Sequence, residues 1–415
     1  MYSVVIITLG CKQNKYESDC MANLLVNNGY IVAQDMLPAD YYIINTCAVT
    51  SEAEKKSRQV ISKCLKLNNQ AKIIVCGCAS EKNPSQFDKK SNVFSIFGTE
   101  GKEKILDYIN NSIKQKQPLA TTFESPMCPQ KTSTREHIKI QDGCNNFCSY
   151  CIIPYLRGRS RSRDLSSIVS EAKIIALRSK EIVLTGIDIS SYQIDGKPAL
   201  PTLMNALKDI PATIRLGSLE VGVITEELMQ VLSKMPNFAP HFHLSLQSGD
   251  ADILKKMNRH YTPQEFKQKV ELIRKYFPLA NITTDVIVGF AGETEEQFKN
   301  TKDFILDIGF SFVHIFPYSK REGTRAYSFE DLPQSVKHKR VIELESVNKE
   351  LKNKYLSQFL EKTGTVLIEE KKEYYEGFSP EYIRCYLKSD NLKSGEVYKI
   401  KFKEIYEDGL LVELV

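Results

Sequence analysis

The chain of 415 residues has no apolar run close to the roughly 18 residues that a membrane-spanning helix needs, which points to a soluble protein with no membrane partner. The start, MYSVVIITLG, lacks a basic leader and a small-residue cleavage site, so export is not expected and a cytoplasmic location is. An excess of one charge is also missing. A net charge of +5 and a pI near 8.4 permit a nucleic-acid partner without demanding one. Eleven cysteines, an odd number scattered along the chain, speak against a disulfide framework and for reduced thiols and metal binding. The most informative absence is a fourth cysteine. In GCNNFCSYCIIPYLRGRSRSR, residues 143–163, Cys144, Cys148 and Cys151 follow one another at intervals of four and three and then stop. A structural zinc site takes four protein ligands and a standard four-iron cluster takes four thiolates. The trio therefore reads as a metal site with one position left open.

A chain of this length is expected to hold two or three domains. Residues 1–115 alternate strand-like and helix-period segments, and the three apolar runs SVVIITLGC, YYIINTC and AKIIVCGC each end on a cysteine. That is a βαβ pattern with parallel strands, and ligands of open parallel sheets sit beyond the carboxyl ends of the strands. Cys11, Cys47 and Cys78 are thus expected at one rim. Cys76 competes with Cys78, but Gly77 lets the backbone turn and frees Cys78 at the strand tip; Cys20, Cys64, Cys128 and Cys385 read as structural. Residues 116–133, with three prolines and no periodicity, read as a linker. In 134–357, six strand-like runs (HIKIQDGC, EIVLTGID, TIRLGSLE, HFHLSLQSG, ITTDVIVGF and FSFVHIFPYS) alternate with amphipathic segments, which predicts a partial parallel barrel with its chemistry at the carboxyl ends. A long charged helix then leads to residues 358–415, whose short strands and turns predict a small antiparallel barrel, either an RNA-binding module or a structural cap. The overall class is α/β.

Three thiolates on a four-iron cube leave one iron free for a chelating amine and carboxylate, which S-adenosylmethionine possesses. On the Cx3CxYC loop after the first of six βα strands, the chain resembles the radical S-adenosylmethionine superfamily, a likeness that places Tyr150 near the adenine. TLGCKQNKYES, NTCAVT and VCGCAS, together with the 139–163 loop, resemble the methylthiotransferase family, and the tail is similar to its RNA-binding TRAM barrel. LGCKQN, LTGIDISSY, RLGSLE and HIFPYSKREGT look like the branch acting on threonylcarbamoyladenosine beside the tRNA anticodon. The resemblance implies a (β/α)6 core and a second four-iron cluster on Cys11, Cys47 and Cys78. It also implies a methylated sulfide carried there, and a deoxyadenosyl radical made at Cys144, Cys148 and Cys151 that takes hydrogen from adenine C2. Gly186, Glu220 and Gln247 are expected to bind S-adenosylmethionine, and an electron donor such as flavodoxin or ferredoxin and a sulfur source are implied partners.

Arg157, Arg159, Arg161 and Arg163 are expected to reach substrate phosphates or the cofactor carboxylate, unless they are a plain solvated run. Ala291 stands in GFAGET where the family usually has proline, which puts the rigidity of that loop in doubt while Gly289 and Glu293 persist. Lys399, Lys401 and Lys403 share one strand face of the tail and are expected to contact RNA. Rival readings are the isopentenyladenosine or ribosomal-protein branch of the family, a first trio that only relays electrons, and a non-catalytic zinc-stabilised RNA-binding protein, for which His137 and His260 are poorly spaced fourth ligands.

Overall fold

A computed structural model describes residues 1–49, 51–89, 92–123 and 133–415. The N-terminal sheet has five parallel strands where three were expected, in the order Ile31–Ala33, Ser3–Thr8, Tyr41–Thr46, Lys72–Gly77 and Val93–Ile96. Its central strands are β-branched and apolar because both faces are covered, as parallel sheets require. Val5, Tyr42, Ile44, Ile73 and Val75 pack on one face; Val4, Ile6, Tyr41, Ile43, Ile74 and Cys76 alternate onto the other. Cys76 is thus core filling, and Cys78, two residues on, opens the next helix.

Six parallel strands follow, the third split at Gly217 into Thr213–Leu216 and Ser218–Leu219. Arg135–Lys139, Glu181–Thr185 and Thr213–Leu216 form one sheet; Ser218–Leu219, His241–Gln247, Asn281–Val288 and Phe312–Pro317 form another. The two are joined through Gly217, whose N–H donates to Leu184 O at 2.9 Å and where a Cβ would meet that same oxygen at 2.9 Å. Outward residues such as Ile138, Ile182, Ile214, Phe242 and Ile282 join the helices in one large apolar core. The 24-residue helix Gln334–Ser357 leads to a closed five-stranded barrel. That barrel is not purely antiparallel as expected: Arg384–Leu387 and Gly409–Leu414 pair in parallel and make the closing seam. The strand Tyr375–Phe378, absent from the sequence reading, pairs with Arg384–Leu387 inside it. The barrel grips the core, with Arg215 Nη1 donating to Pro380 O at 2.9 Å and Asn281 Nδ2 to Glu381 O at 2.6 Å. Half of the expected linker, including Cys128, lies outside the described residues.

The arginine run is neither solvated nor free for ligands, apart from exposed Arg159, which stacks on Phe147. Arg157, 1% exposed, donates to Glu17 Oε1 at 2.8 Å and Asn14 Oδ1 at 2.7 Å in the N-terminal domain, and to Asp142 Oδ1 at 3.3 Å in the core. Arg161 pairs with Glu100 at 2.7 Å, and Arg163 pairs with Glu171. Lys102 and Lys139 complete the cluster on Glu17. Their partners are supplied from distant segments, so the run itself carries no sign of them.

Burial pushes the Glu17 carboxyl up, but Arg157, Lys102 and Lys139 together hold it well below the ordinary range; Asp142 is lowered in the same way, Lys139 and Arg157 outweighing its burial. Carboxylates lowered on folding stabilise fully above their unfolded values near 4, and that contribution is lost as pH falls toward the folded values. Arg157→Leu takes one of three cations from buried Glu17 and one from Asp142, and should cost about 3–5 kcal/mol at pH 7. Urea unfolding should show the gap to wild type narrowing below about pH 4, where Glu17 of the variant takes up a proton; equal midpoints at pH 7 would contradict the role.

Candidate active site

Cys11, Cys47 and Cys78 follow strand ends at one rim of the N-terminal sheet. Cys11 is the N-cap residue of the helix Lys12–Asn27 and is exposed, whereas Cys47 and Cys78 are buried. Asn14 Nδ2 stitches the first two loops, donating to Leu9 O at 2.8 Å and Thr46 O at 3.1 Å. Thr46 Oγ1 ties the second loop to the third, donating to Cys76 O at 2.6 Å and accepting from Ala79 N at 3.2 Å. Gly10 adopts φ +98°, and a Cβ there would lie 2.7 Å from both Cβ and Sγ of Cys47. Burial pushes the Cys47 thiol up to about 11 with Cys78 and Cys11 adding to it. Burial also raises Cys78, opposed by the Arg157 guanidinium. The three thiols are therefore electrostatic neighbours, and Arg157 joins their site to the ion-pair cluster.

The second trio follows the first core strand. Gln141 Nε2 donates to Gly143 O at 2.7 Å, while its Oε1 accepts from Ile187 N at 3.1 Å and Asp188 N at 2.8 Å, binding the cysteine loop to the end of the second strand. Ser149 N donates to Met257 O at 2.9 Å, and Asn258 Nδ2 donates to Asn146 O at 3.0 Å and Phe147 O at 3.1 Å. Burial pushes Cys144 and Cys151 each up to about 12. Thiols this reluctant to ionise become ligands when a metal displaces their protons. Two residues went unnoticed in the sequence. Arg259 donates to Cys148 Sγ at 3.3 Å and pairs with Glu220, and Asp188 has Oδ2 3.9 Å from Cys144 Sγ and a buried, unpartnered Oδ1. The only signal for either was proximity to a motif, in MNRHY and LTGID.

Glu220 and Gln247 stand at the carboxyl ends of the third and fourth strands, and Gln247 adopts φ +68° beside a bulge. Burial raises the Glu220 carboxyl against the pull of Arg259. Gly186 abuts Gln141, whose carbonyl oxygen would be 2.8 Å from an added Cβ. Tyr150 meets Phe290 edge-on at 6.4 Å. The loop carrying Ala291 is pinned despite the missing proline: Glu293 Oε2 accepts from Gly289 N at 2.7 Å and from Arg340 Nη1 at 2.5 Å. Lys401 and Lys403 pair at the surface with Glu361 at 2.7 and 3.5 Å, while Lys399 is exposed.

The concave face of the six strands is polar, unlike the packed interior of a closed parallel barrel. Hollows of about 540 and 520 Å³ share Lys12 and Tyr382 and hold His137, His241, His243 and His314 between them. Burial lowers His137 to about 3 and holds His241 and His314 below their usual range, so these rings are neutral near pH 7. Three thiolates on one zinc ion bring their sulfurs to within about 3.8 Å of one another. Among the described residues the one group with all ligand atoms within 4.8 Å is His243, Asp285 and His314. Neither cysteine trio is that compact, and a polynuclear iron–sulfur cluster asks for a wider set of thiolates than one zinc ion does.

Comparison with known proteins agrees. Residues 138–305 match the Radical SAM superfamily, and residues 3–98 match a family described as uncharacterized protein family UPF0004. A threonylcarbamoyladenosine tRNA methylthiotransferase of Bacillus subtilis is 36% identical, covering 100% of this chain and 97% of that one. A protein of the same name from Thermotoga maritima is 35% identical over 99% of this chain and 96% of that one. A tRNA-2-methylthio-N(6)-dimethylallyladenosine synthase of Clostridium tetani is 35% identical over 88% and 84%. Among solved structures, the radical S-adenosylmethionine methyltransferase TsrM of Kitasatospora setae superposes with a TM-score of 0.57 at 14% identity, over 76% of this chain and 75% of that one, and shows the fold.

Gly10→Ala tests the first trio without removing a ligand. The added methyl displaces Cys47, so iron bound after reconstitution should fall from about eight to about four per chain, with the second trio still loaded. Undiminished iron would mean that Cys47 is not a ligand.

Proposed function

The chain belongs to the radical S-adenosylmethionine methylthiotransferases, and from that membership we propose that it adds a methylthio group to C2 of N-threonylcarbamoyladenosine beside the anticodon of tRNA. The observation that carries the substrate is the match to the Bacillus subtilis enzyme along the whole chain, C-terminal barrel included. Two four-iron, four-sulfur clusters and S-adenosylmethionine are the cofactors; when bound they supply a methylated sulfur and a carbon-radical source.

Cys11, Cys47 and Cys78 hold one cluster in this reading, and Cys144, Cys148 and Cys151 hold the other. Tyr150, Gly186, Glu220 and Gln247 line the S-adenosylmethionine site, with Arg259 holding Glu220 in place beside Cys148. Arg157 positions the two loops, since it faces Cys78 on one side and Asp142, two residues before Cys144, on the other. The six core strands are read as a partial (β/α)6 barrel within 134–357, after the domain 1–115 and the linker 116–133. The barrel within 358–415 is read as a TRAM module that grips the anticodon stem-loop. The adenosine must leave its stack to enter the polar hollow. A cytoplasmic electron donor such as flavodoxin or ferredoxin and a sulfur source complete the reaction.

Replacing Cys144, Cys148 and Cys151 together by Ala should leave about four irons per chain and abolish deoxyadenosine formation from S-adenosylmethionine. Continued formation would show the radical site to be elsewhere. In cells lacking the gene, nucleoside mass spectrometry of tRNA should show N-threonylcarbamoyladenosine retained and its 2-methylthio derivative gone. Loss of the methylthiolated dimethylallyl nucleoside instead would assign the chain to the other branch.

A further inference from the structure

The two hollows inside the core meet at Lys12. It is exposed and lines both of them, so its side chain stands in the space that the hollows share. The other cations lining these hollows are engaged. Arg215 is clamped by Glu181 at 2.7 Å, Arg135 by Glu369 at 2.6 Å, Arg384 by Glu376 at 3.1 Å and Lys15 by Asp19 at 2.6 Å. Lys352 lies 5.4 Å over the Phe312 ring. Among the described residues Lys12 has neither a hydrogen bond nor an ion pair. It also occupies the first position of the helix Lys12–Asn27, whose first turn has no acid, so it adds its charge to the positive helix end. That placement opposes the helix dipole and invites an anion.

Lys12 follows Cys11 directly, so an anion held there lies beside the sulfur-delivering site. The substrate read above carries one suitable group. The threonyl unit on N6 ends in a carboxylate, and C6, which bears it, is bonded to the same ring nitrogen as C2. Substituent and reacting carbon therefore share one edge of the base. We propose that Lys12 is the receptor for the free carboxylate of the N6-threonylcarbamoyl group and so selects this substrate over adenosines with an uncharged N6 substituent. The proposal rests on the substrate reading of the previous subsection. A charge-assisted hydrogen bond in a partly desolvated cavity is the strong kind, and a hollow of about 540 Å³ is within the range of small-ligand sites, about 300–1,000 Å³.

The test uses reconstituted holoenzyme under anaerobic conditions and three anticodon stem-loop RNAs: one with N6-threonylcarbamoyladenosine, one with its threonyl methyl ester and one with dimethylallyladenosine. Fluorescence anisotropy should show wild type binding the acid at least about tenfold tighter than the ester. Lys12→Met, with its iron content confirmed unchanged, should bind both alike, and Lys12→Arg should restore most of the preference. A wild type indifferent to esterification overturns the proposal without recourse to any variant, and so does a fully loaded Lys12→Met enzyme that keeps the preference. If instead the wild type methylthiolates the dimethylallyl RNA and leaves the threonylcarbamoyl RNA untouched, the substrate reading itself fails and the carboxylate receptor falls with it.

Discussion

One buried guanidinium holds the catalytic halves in register. Arg157 is 1% exposed and is contributed by the segment directly after the second cysteine trio, yet most of its partners, Glu17 and Asn14, belong to the helix that follows Cys11. A charge this deep is tolerated when it is paired and its hydrogen-bonding positions are filled. Glu17, Asp142 and Asn14 supply the partners of its two terminal nitrogens, and do so only while the N-terminal sheet and the core stay docked. The cluster of Lys102, Lys139 and Arg161 around them closes the arrangement from both sides. The two cysteine loops thus share an electrostatic anchor, and the placement of each depends on the segment that carries the other.

The same anchor explains why the loops need so little regular structure. Cys11, Cys47 and Cys78 are set by short connections from strand ends, and Asn14 and Thr46 cross-stitch those connections through backbone carbonyls. On the core side, Gln141 bonds backbone groups on two strand ends, and the 256–259 segment clasps the cysteine loop. Each polar side chain replaces secondary structure at a place where the backbone turns beside a cysteine.

The placement of the cysteines beyond strand ends was legible because its information is local: a strand pattern ends, and a thiol follows. The βα repeat of the core and the long helix before the tail were legible for the same reason. What escaped was set at a distance. The arginine run was misjudged because Glu17, Glu100 and Glu171 come from other elements, and a row of charges says nothing about its partners. The edge strand Ile31–Ala33 is too short to show a period, and the parallel seam of the C-terminal barrel depends on which strands meet after closure. HFHLSLQ shows its alternation plainly, but that histidines point into a hollow instead of a packed core depends on the strands failing to close around apolar side chains.

The C-terminal barrel is not an appendage. Tyr382 stacks on His241 at 4.9 Å, lies under Arg135 and Arg215, and lines both hollows of the core. A wall of the inner chamber is therefore built by the last segment of the chain. Modules joined by linkers can be exchanged in evolution with little effect on one another, but this one cannot. Any change of tail also reshapes the chamber, so the tail and the chamber are inherited together, and a hybrid with a foreign tail would have to rebuild that wall.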